Sequence, residues 1–361
     1  MEIPGSPGRQ VDFGNDNRLS MEEGMKRNRR LASISLSMFG LGAALLARPE
    51  PLFADESGVS FWIPGFFGSL AATPSVPGWS WATVYYHTDV SSGAGAAFPR
   101  GGRVDVGIAG TGDLGLFGPT YVFATPVLGG QLSATLLGIA GRNEASAALS
   151  LAGPLGNTLA LNRTQELTSY GDLIPQIALK WNMGVHNLMV YGTGAIPVGD
   201  YDPNRLANLG LGHGAIDFGA GYTYFNPQTG NEFSAVAGAT YNFKNTSTQY
   251  QNGIDYHLDW GASHFFTKQL QVGVAGYYLQ QLTDDFGAPP SLGGFRSRVA
   301  GVGPQIGFLF PVGNMQGYIN LKGYKEFAAQ NRPEGWNTWL SFLISAAPPE
   351  PASARPIARR Y

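Results

Sequence analysis

The stretch Ala215-Ile216-Asp217-Phe218-Gly219-Ala220-Gly221-Tyr222-Thr223-Tyr224 decides the architecture. Ile216, Phe218, Ala220, Tyr222 and Tyr224 take one face, while Asp217, Gly219, Gly221 and Thr223 take the other. A side-chain period of two over such a length describes a β-strand between two unlike surroundings. The pattern returns downstream, where Phe233, Ala235, Ala237, Ala239 and Tyr241 oppose Glu232, Ser234, Gly238, Thr240 and Asn242, with only Val236 out of place. Tyr256, Leu258, Trp260 and Ala262 oppose Asp255, His257, Asp259, Gly261 and Ser263. Upstream, Leu173, Ile177, Leu179 and Trp181 oppose Gln176, Ala178, Lys180 and Asn182.

A soluble sandwich would alternate in the same way, so the connections discriminate. Short turns at 126–130, 184–187, 226–230, 267–269 and 311–314 alternate with long polar or Gly/Pro-rich stretches around 90–104, 142–170, 200–214, 243–254, 284–298 and 328–335. Tight turns at one end and loops at the other are the rhythm of a membrane barrel. The rhythm predicts strands at 79–89, 105–125, 130–141, 171–183, 188–199, 215–226, 231–242, 255–266, 269–283, 299–310, 315–327 and 336–344. That is an all-β, transmembrane antiparallel β-barrel of about 12 strands, outer-membrane type, with both ends on the tight-turn side. Ten and fourteen are the neighbouring even counts. Within 105–125, Gly110, Gly112, Gly115 and Gly118 either bend one long strand or mark a break. Trp181, Trp260, Trp336 and Trp339, with several Tyr and Phe, fall towards strand ends, where a bilayer interface favours amphipathic rings.

Composition agrees. The 361 residues include 51 Gly and 24 Pro, only 13% are charged, the net charge is −2 and there is no Cys. Glycine is near twice and charge near half the usual share. Collagen is excluded because the glycines lack a three-residue period, disulfides and thiolate metal sites are impossible, and no basic field exists for nucleic acid. Strand glycines such as Gly192, Gly194, Gly219, Gly221, Gly273, Gly276, Gly301 and Gly303 are expected to relieve crowding on the inner face of a narrow barrel.

The ends of the chain read separately. Met25-Lys26-Arg27-Asn28-Arg29-Arg30, the mostly apolar Leu31–Leu46 run and Leu52-Phe53-Ala54 form the three parts of a secretory signal, cut after Ala54. The predicted organisation is 1–54 as upstream extension plus signal peptide, 55–78 as a periplasmic or plug-like segment, 79–345 as the barrel and 346–361 as a disordered tail. No helical span follows Asp55.

The block Phe225–Trp260, with Tyr241-Asn242, Asn245, Thr248, Tyr250, Gly253, His257 and Asp259 in order, then Gly273–Gly287 and Gly301–Pro311, resembles the outer-membrane protein family named for the meta-pathway of phenol degradation. Ile63-Pro64-Gly65 followed by Pro77-Gly78-Trp79 resembles that family's apolar opening, and the likeness covers about residues 60–345. The resemblance implies a barrel in the bacterial outer membrane, similar to long-chain fatty-acid channels, that carries aromatic or other hydrophobic compounds. The chain departs from barrels of this type by continuing beyond Ile344. Phe342, or Tyr361, is then the aromatic offered to the barrel-assembly machinery.

No catalytic constellation stands out. His87, His186, His213, His257 and His264 are not spaced as a metal pair, and the H-x-S of an outer-membrane phospholipase is absent, so neither an enzyme nor a cofactor is expected. The candidate solute path is the inward polar set Asp217, Glu232, Asp255, His257 and Asp259, facing Lys180, Arg298, Lys322 and also Lys325. Such charges either fill the interior in pairs or gate it. His257 is either held protonated by its carboxylate neighbours or is a neutral hydrogen-bonded histidine. The plug candidates are Phe61, Trp62, Phe66 and Phe67, in a segment too short to span a bilayer and too apolar for water. It enters the lumen, lies along the periplasmic face or begins the barrel. The expected function is passive uptake of small hydrophobic or aromatic solutes, with outer-membrane lipid as the surroundings; the alternative is a structural or adhesive barrel with a filled lumen.

Overall fold

The computed structural model describes residues 60–97, 103–152, 158–287 and 296–347. The signal peptide, the upstream extension and residues 348–361 of the tail lie outside the described residues. The strands are β1 (Gly78–Ala97), β2 (Arg103–Val122), β3 (Gln131–Ala152), β4 (Thr158–Tyr170), β5 (Ile174–Met183), β6 (His186–Ala195) and β7 (Ala215–Asn226). They continue with β8 (Asn231–Asn242), β9 (Asp255–Phe265), β10 (Leu270–Gln281), β11 (Arg298–Val312), β12 (Met315–Gln330) and β13 (Glu334–Ala346). All neighbours are antiparallel, and β1 closes the sheet on β13 from Trp81↔Ile344 to Ser91↔Glu334.

Thirteen segments fill twelve positions. The lower part of β3 pairs with β5 through Gln131↔Lys180 to Leu137↔Ile174, and its upper part pairs with β4 through Ala140↔Tyr170 to Ala152↔Thr158. β4 and β5 are therefore one descending strand interrupted at Gly171–Leu173. Gly171 has no room for a side chain there, since a Cβ would lie 2.9 Å from the Leu209 carbonyl oxygen and 3.0 Å from Ile139. Closure satisfies the backbone groups of the wall, the condition for crossing a bilayer without helices. No helix among the described residues is long and apolar enough to cross a membrane. Outside, Ile177 is 60% and Phe218 64% exposed, and Val190, Ile306 and Leu340 share that lipid-facing surface.

Three predicted loops are strand. Residues 90–97 extend β1, 142–152 with 158–170 extend β3 and β4, and 328–330 extend β12. Above the bilayer both faces of a wall meet water, so sequences such as Ser91-Ser92-Gly93 lose the apolar and polar alternation that marks a strand within lipid. The glycine-rich 105–125 stretch is the single strand β2, ending at Val122. The strand glycines divide between the faces: Gly219 and Gly221 share the buried, inward parity of Asp217, whereas Gly192 carries the ring of outward Phe218. Trp339 also departs from expectation. It is 1% exposed and points inward, 4.5 Å between centroids from Tyr86, rather than standing at the membrane interface.

Candidate functional site

Residues 60–77 run through the lumen before β1 begins. Phe61 and Trp62 are buried, and Ile63, Phe66 and Phe67 pack on the same interior cluster. The segment turns tightly at Phe66 N–H to Ile63 carbonyl, 3.2 Å. Gly65 makes that turn with φ +89°, and a Cβ there would meet Tyr324 at 3.0 Å and Trp339 at 3.2 Å. Both the backbone angle and the space favour glycine.

The turn sits between two opposite charges. Asp259 accepts the amides of Gly65 (2.9 Å) and Phe67 (3.1 Å), while Lys322 donates to the carbonyls of the same two residues at 2.6 and 3.2 Å. The Lys322 ammonium also lies 5.2 Å from the Trp339 ring centroid. An acid and a base from β9 and β12 thus meet through the backbone of the segment instead of directly. Each buried charge gains charge-assisted hydrogen bonds that offset its desolvation.

Further along, Glu232 accepts the Leu70 amide at 2.9 Å and the Ser263 hydroxyl at 2.6 Å. Thr223 accepts the Ala72 amide at 3.0 Å. Lys180 donates to the Thr73 carbonyl at 3.2 Å, and Gln131 accepts the Ser75 amide at 2.8 Å. The inward sides of β3, β5, β7, β8, β9 and β12 all grip one short piece of chain.

At the Trp62 end, Asp217 is the hub. It accepts hydrogen bonds from Tyr191 (2.8 Å), Thr240 (2.6 Å) and the Nε2 of His257 (2.9 Å). The His257 ring stacks on Trp62 with centroids 3.6 Å apart and planes inclined by 12°. Gly238 makes the room: a Cβ there would lie 2.4 Å from the Tyr191 hydroxyl and 2.6 Å from His257 Nε2.

The structure therefore gathers Asp217, Glu232, His257, Asp259, Lys180 and Lys322 around the segment that holds Phe61, Trp62, Phe66 and Phe67. Asp255 is also buried but stands nearer the loops, where Asn242 donates to it at 3.1 Å. The carboxylate nearest His257 is Asp217 across the sheet, not Asp255 or Asp259 on its own strand. Arg298 is a correction. Val299 is fully buried and directed inward, so Arg298 belongs to the opposite parity, at the rim, where its Nε donates to the Ala328 carbonyl at 3.4 Å. Lys325 fails for the same reason, because Lys322, Tyr324 and Glu326 are the buried set of β12. Sequence reasoning missed Tyr191, Thr223, Thr240 and Ser263 as partners. The inward parity of the last three was the available signal, whereas Tyr191 reads as one more apolar residue.

Above the segment the lumen opens into a cavity of about 160 Å³ towards the loops. Its floor is Trp62, Ile63 and Pro64, and Tyr86, Ile108, Leu114 and Leu211 supply apolar wall. Residues 196–214 lean into it: Ala207 and Asn208 are buried, and the Asn208 carbonyl accepts from Asn143 at 2.9 Å.

Several solved structures are similar to the chain. An outer membrane channel from Pseudomonas putida F1, of the group COG4313, superposes with a TM-score of 0.56 at 16% identity over 75% of this chain and 97% of that one. A Pseudomonas aeruginosa FadL homologue gives a TM-score of 0.34 at 9% identity over 74% of this chain and 88% of that one. A monoaromatic hydrocarbon channel, CymD, gives 0.29 at 8% identity over 74% and 87%. No curated protein matches the chain. The closed, lipid-faced barrel is one of the bacterial outer membrane. The family model described as "Putative MetA-pathway of phenol degradation" matches residues 72–342, which takes in β1 to β12 whole and β13 as far as Phe342, and the chain belongs to that family.

Proposed function

We propose that the protein is an outer-membrane channel through which small hydrophobic solutes, aromatic ones included, move down their gradient, with residues 60–77 as the gate. The observation that carries this reading is the division of the lumen into a partly apolar cavity on the loop side and a floor beneath it made by Trp62, Ile63 and Pro64. The floor is held by side-chain contacts to the backbone of one chain segment, a bonding pattern that can be exchanged for water without unfolding the wall. Membership of the family and the likeness of the barrel to an outer membrane channel of Pseudomonas putida support the same reading. The chain supplies no reaction step in this reading.

The filled lower lumen favours a second reading, a barrel whose interior serves stability alone. Proteoliposomes with a lipopolysaccharide outer leaflet, which apolar solutes cross slowly unaided, separate the two. The full chain is expected to admit toluene faster than protein-free vesicles and to exclude sucrose, and removal of 58–72 is expected to raise permeability. Heat-modifiable gel migration reports that each barrel has folded. Toluene entry equal to that of empty vesicles, with the barrel folded, refutes the channel. Unchanged permeability after the deletion refutes the gate, and selective sugar passage overturns the solute class.

A further inference from the structure

Gly110 and Gly112 occupy successive inward positions of β2, the strand whose glycines read as a bend or a break. The strand is whole there. Register with β1 runs unbroken through Thr88↔Gly112 and Val90↔Gly110, and register with β3 through Gly112↔Asn143 and Gly110↔Ala145. Neither glycine has a positive φ. Other inward glycines are imposed by crowding: a Cβ would lie 2.4 Å from the Ala237 carbonyl oxygen at Gly219, 2.4 Å from the Tyr191 hydroxyl at Gly238 and 2.3 Å from the Tyr277 ring at Gly301. At Gly110, apart from its chain neighbours, a Cβ would meet only the Glu144 carbonyl oxygen at 3.7 Å and the Val90 side chain at 3.8 Å, both ordinary contacts. At Gly112 it would meet only Thr88, at 3.2 Å.

Glycine inside a strand weakens it and brings no side chain to pack, so two of them without a steric or backbone requirement point to the space itself. Both line the cavity above Trp62. Its other walls include the apolar side chains of Val90, Ile108, Leu114 and Leu211. The volume, about 160 Å³, is close to the roughly 150 Å³ at which an apolar cavity accommodates benzene.

We infer that Gly110 and Gly112 are size-determining residues of the channel, which keep open a recess for a single six-membered apolar ring beside Trp62. The inference rests on the channel reading and narrows its solute class to single-ring compounds. A side chain at either position takes space that the ring needs, and valine at 110 alone brings half as many carbon atoms as benzene has. The same substitution fills a void and raises strand propensity, so the barrel is expected to become no less stable. Lost binding with retained stability marks a glycine kept for the cavity, whereas a glycine kept for packing or backbone shape loses both together.

The test uses the full chain in detergent, with fluorobenzene and the two-ring 1-fluoronaphthalene as probes read by fluorine NMR, and with the melting temperature read from the heat-modifiable gel band. Fluorobenzene is expected to bind the parent protein, and 1-fluoronaphthalene to bind it at least tenfold more weakly. Gly110→Ala is expected to weaken fluorobenzene severalfold and Gly110→Val at least tenfold, both melting no lower than the parent. If Gly110→Val gives no heat-modifiable band, Gly110→Ala, whose added carbon meets only ordinary contacts, decides the matter. No fluorobenzene binding by the folded parent, equal binding of the two probes, unchanged affinity in the folded variants, or a melting temperature that falls together with affinity overturns the assignment. Toluene entry into the vesicles is scored separately. Fluorobenzene binding without entry sinks the channel and leaves the recess, whereas entry that Gly110→Val leaves unchanged sinks the size role and leaves the channel.

Discussion

Asp259→Ala is the most informative perturbation of the lumen. The change leaves the amides of Gly65 and Phe67, at present 2.9 and 3.1 Å from the carboxylate, without partners in a buried setting. Each stranded donor costs about 1–3 kcal/mol. Lys322, which bonds the carbonyls of the same residues, keeps its two hydrogen bonds but loses its opposing charge. Breaking a buried charge arrangement from one side costs about 3–5 kcal/mol in total. At about 1.4 kcal/mol per decade, the docked fraction of the segment falls by two orders of magnitude or more relative to its undocked form. Amide exchange followed by mass spectrometry is the assay, and protection of residues 60–72 is expected to drop by that factor while β7 to β10 remain protected. Adding Lys322→Met to Asp259→Ala removes the stranded ammonium, so the double variant is expected to fall short of the summed single effects by about 1–3 kcal/mol. Unchanged protection in Asp259→Ala, or strict additivity in the cycle, refutes the argument that the two charges hold one turn between them.

Further outcomes follow from other particulars. Gly238→Val places side-chain atoms where Tyr191 and His257 already stand, and overpacking of this kind is expected to cost about 1–3 kcal/mol and to shift Trp62 emission, read by thermal unfolding and fluorescence. Val190→Arg, on the lipid face near the middle of β6, is expected to cost about 2–4 kcal/mol in vesicle-based denaturant unfolding, against about 0–1 for the same change near an interface. In the loop, Arg205 donates to Asp200 and holds its carboxyl below the ordinary carboxylate value. A carboxyl with a lowered folded-state pKa adds stability that is fully present above its unfolded value and lost as pH falls through the folded one. Exchange protection of residues 200–210 is therefore expected to persist at pH 5 and decline only below about pH 4, and Arg205→Met is expected to weaken that dependence, Ser169 beside Asp200 and Asn204 beside Asp202 keeping part of it.

Much of the wall was legible because lipid enforces alternation. Ala215–Tyr224 names its own faces, and Asp217, Glu232, His257 and Asp259 could be placed inside by parity alone. Where water bathes both faces, that constraint disappears, and β3 and β4 beyond Gly141 read as loop. Parity also ruled Arg298 and Lys325 outside once the register of their strands was known, but a sequence does not print its register. The apolar Phe61–Phe67 piece was visible as an anomaly; its partners were not, since the carboxylate that holds Gly65 and Phe67 comes from a strand more than 190 residues away.

The amino-acid sequence by itself determined the class of fold, the compartment and the inward polar set, because a strand between lipid and lumen must alternate and its connections must suit two different ends. Tertiary structure alone decided what those polar residues do. Asp259 and Lys322 could have paired with each other, filled the lumen with water or held another part of the chain, and each outcome satisfies the same local pattern. Barrel closure sets which strands face one another across a narrow interior, and the chain segment that occupies that interior turned isolated charges into a clamp on Gly65 and Phe67.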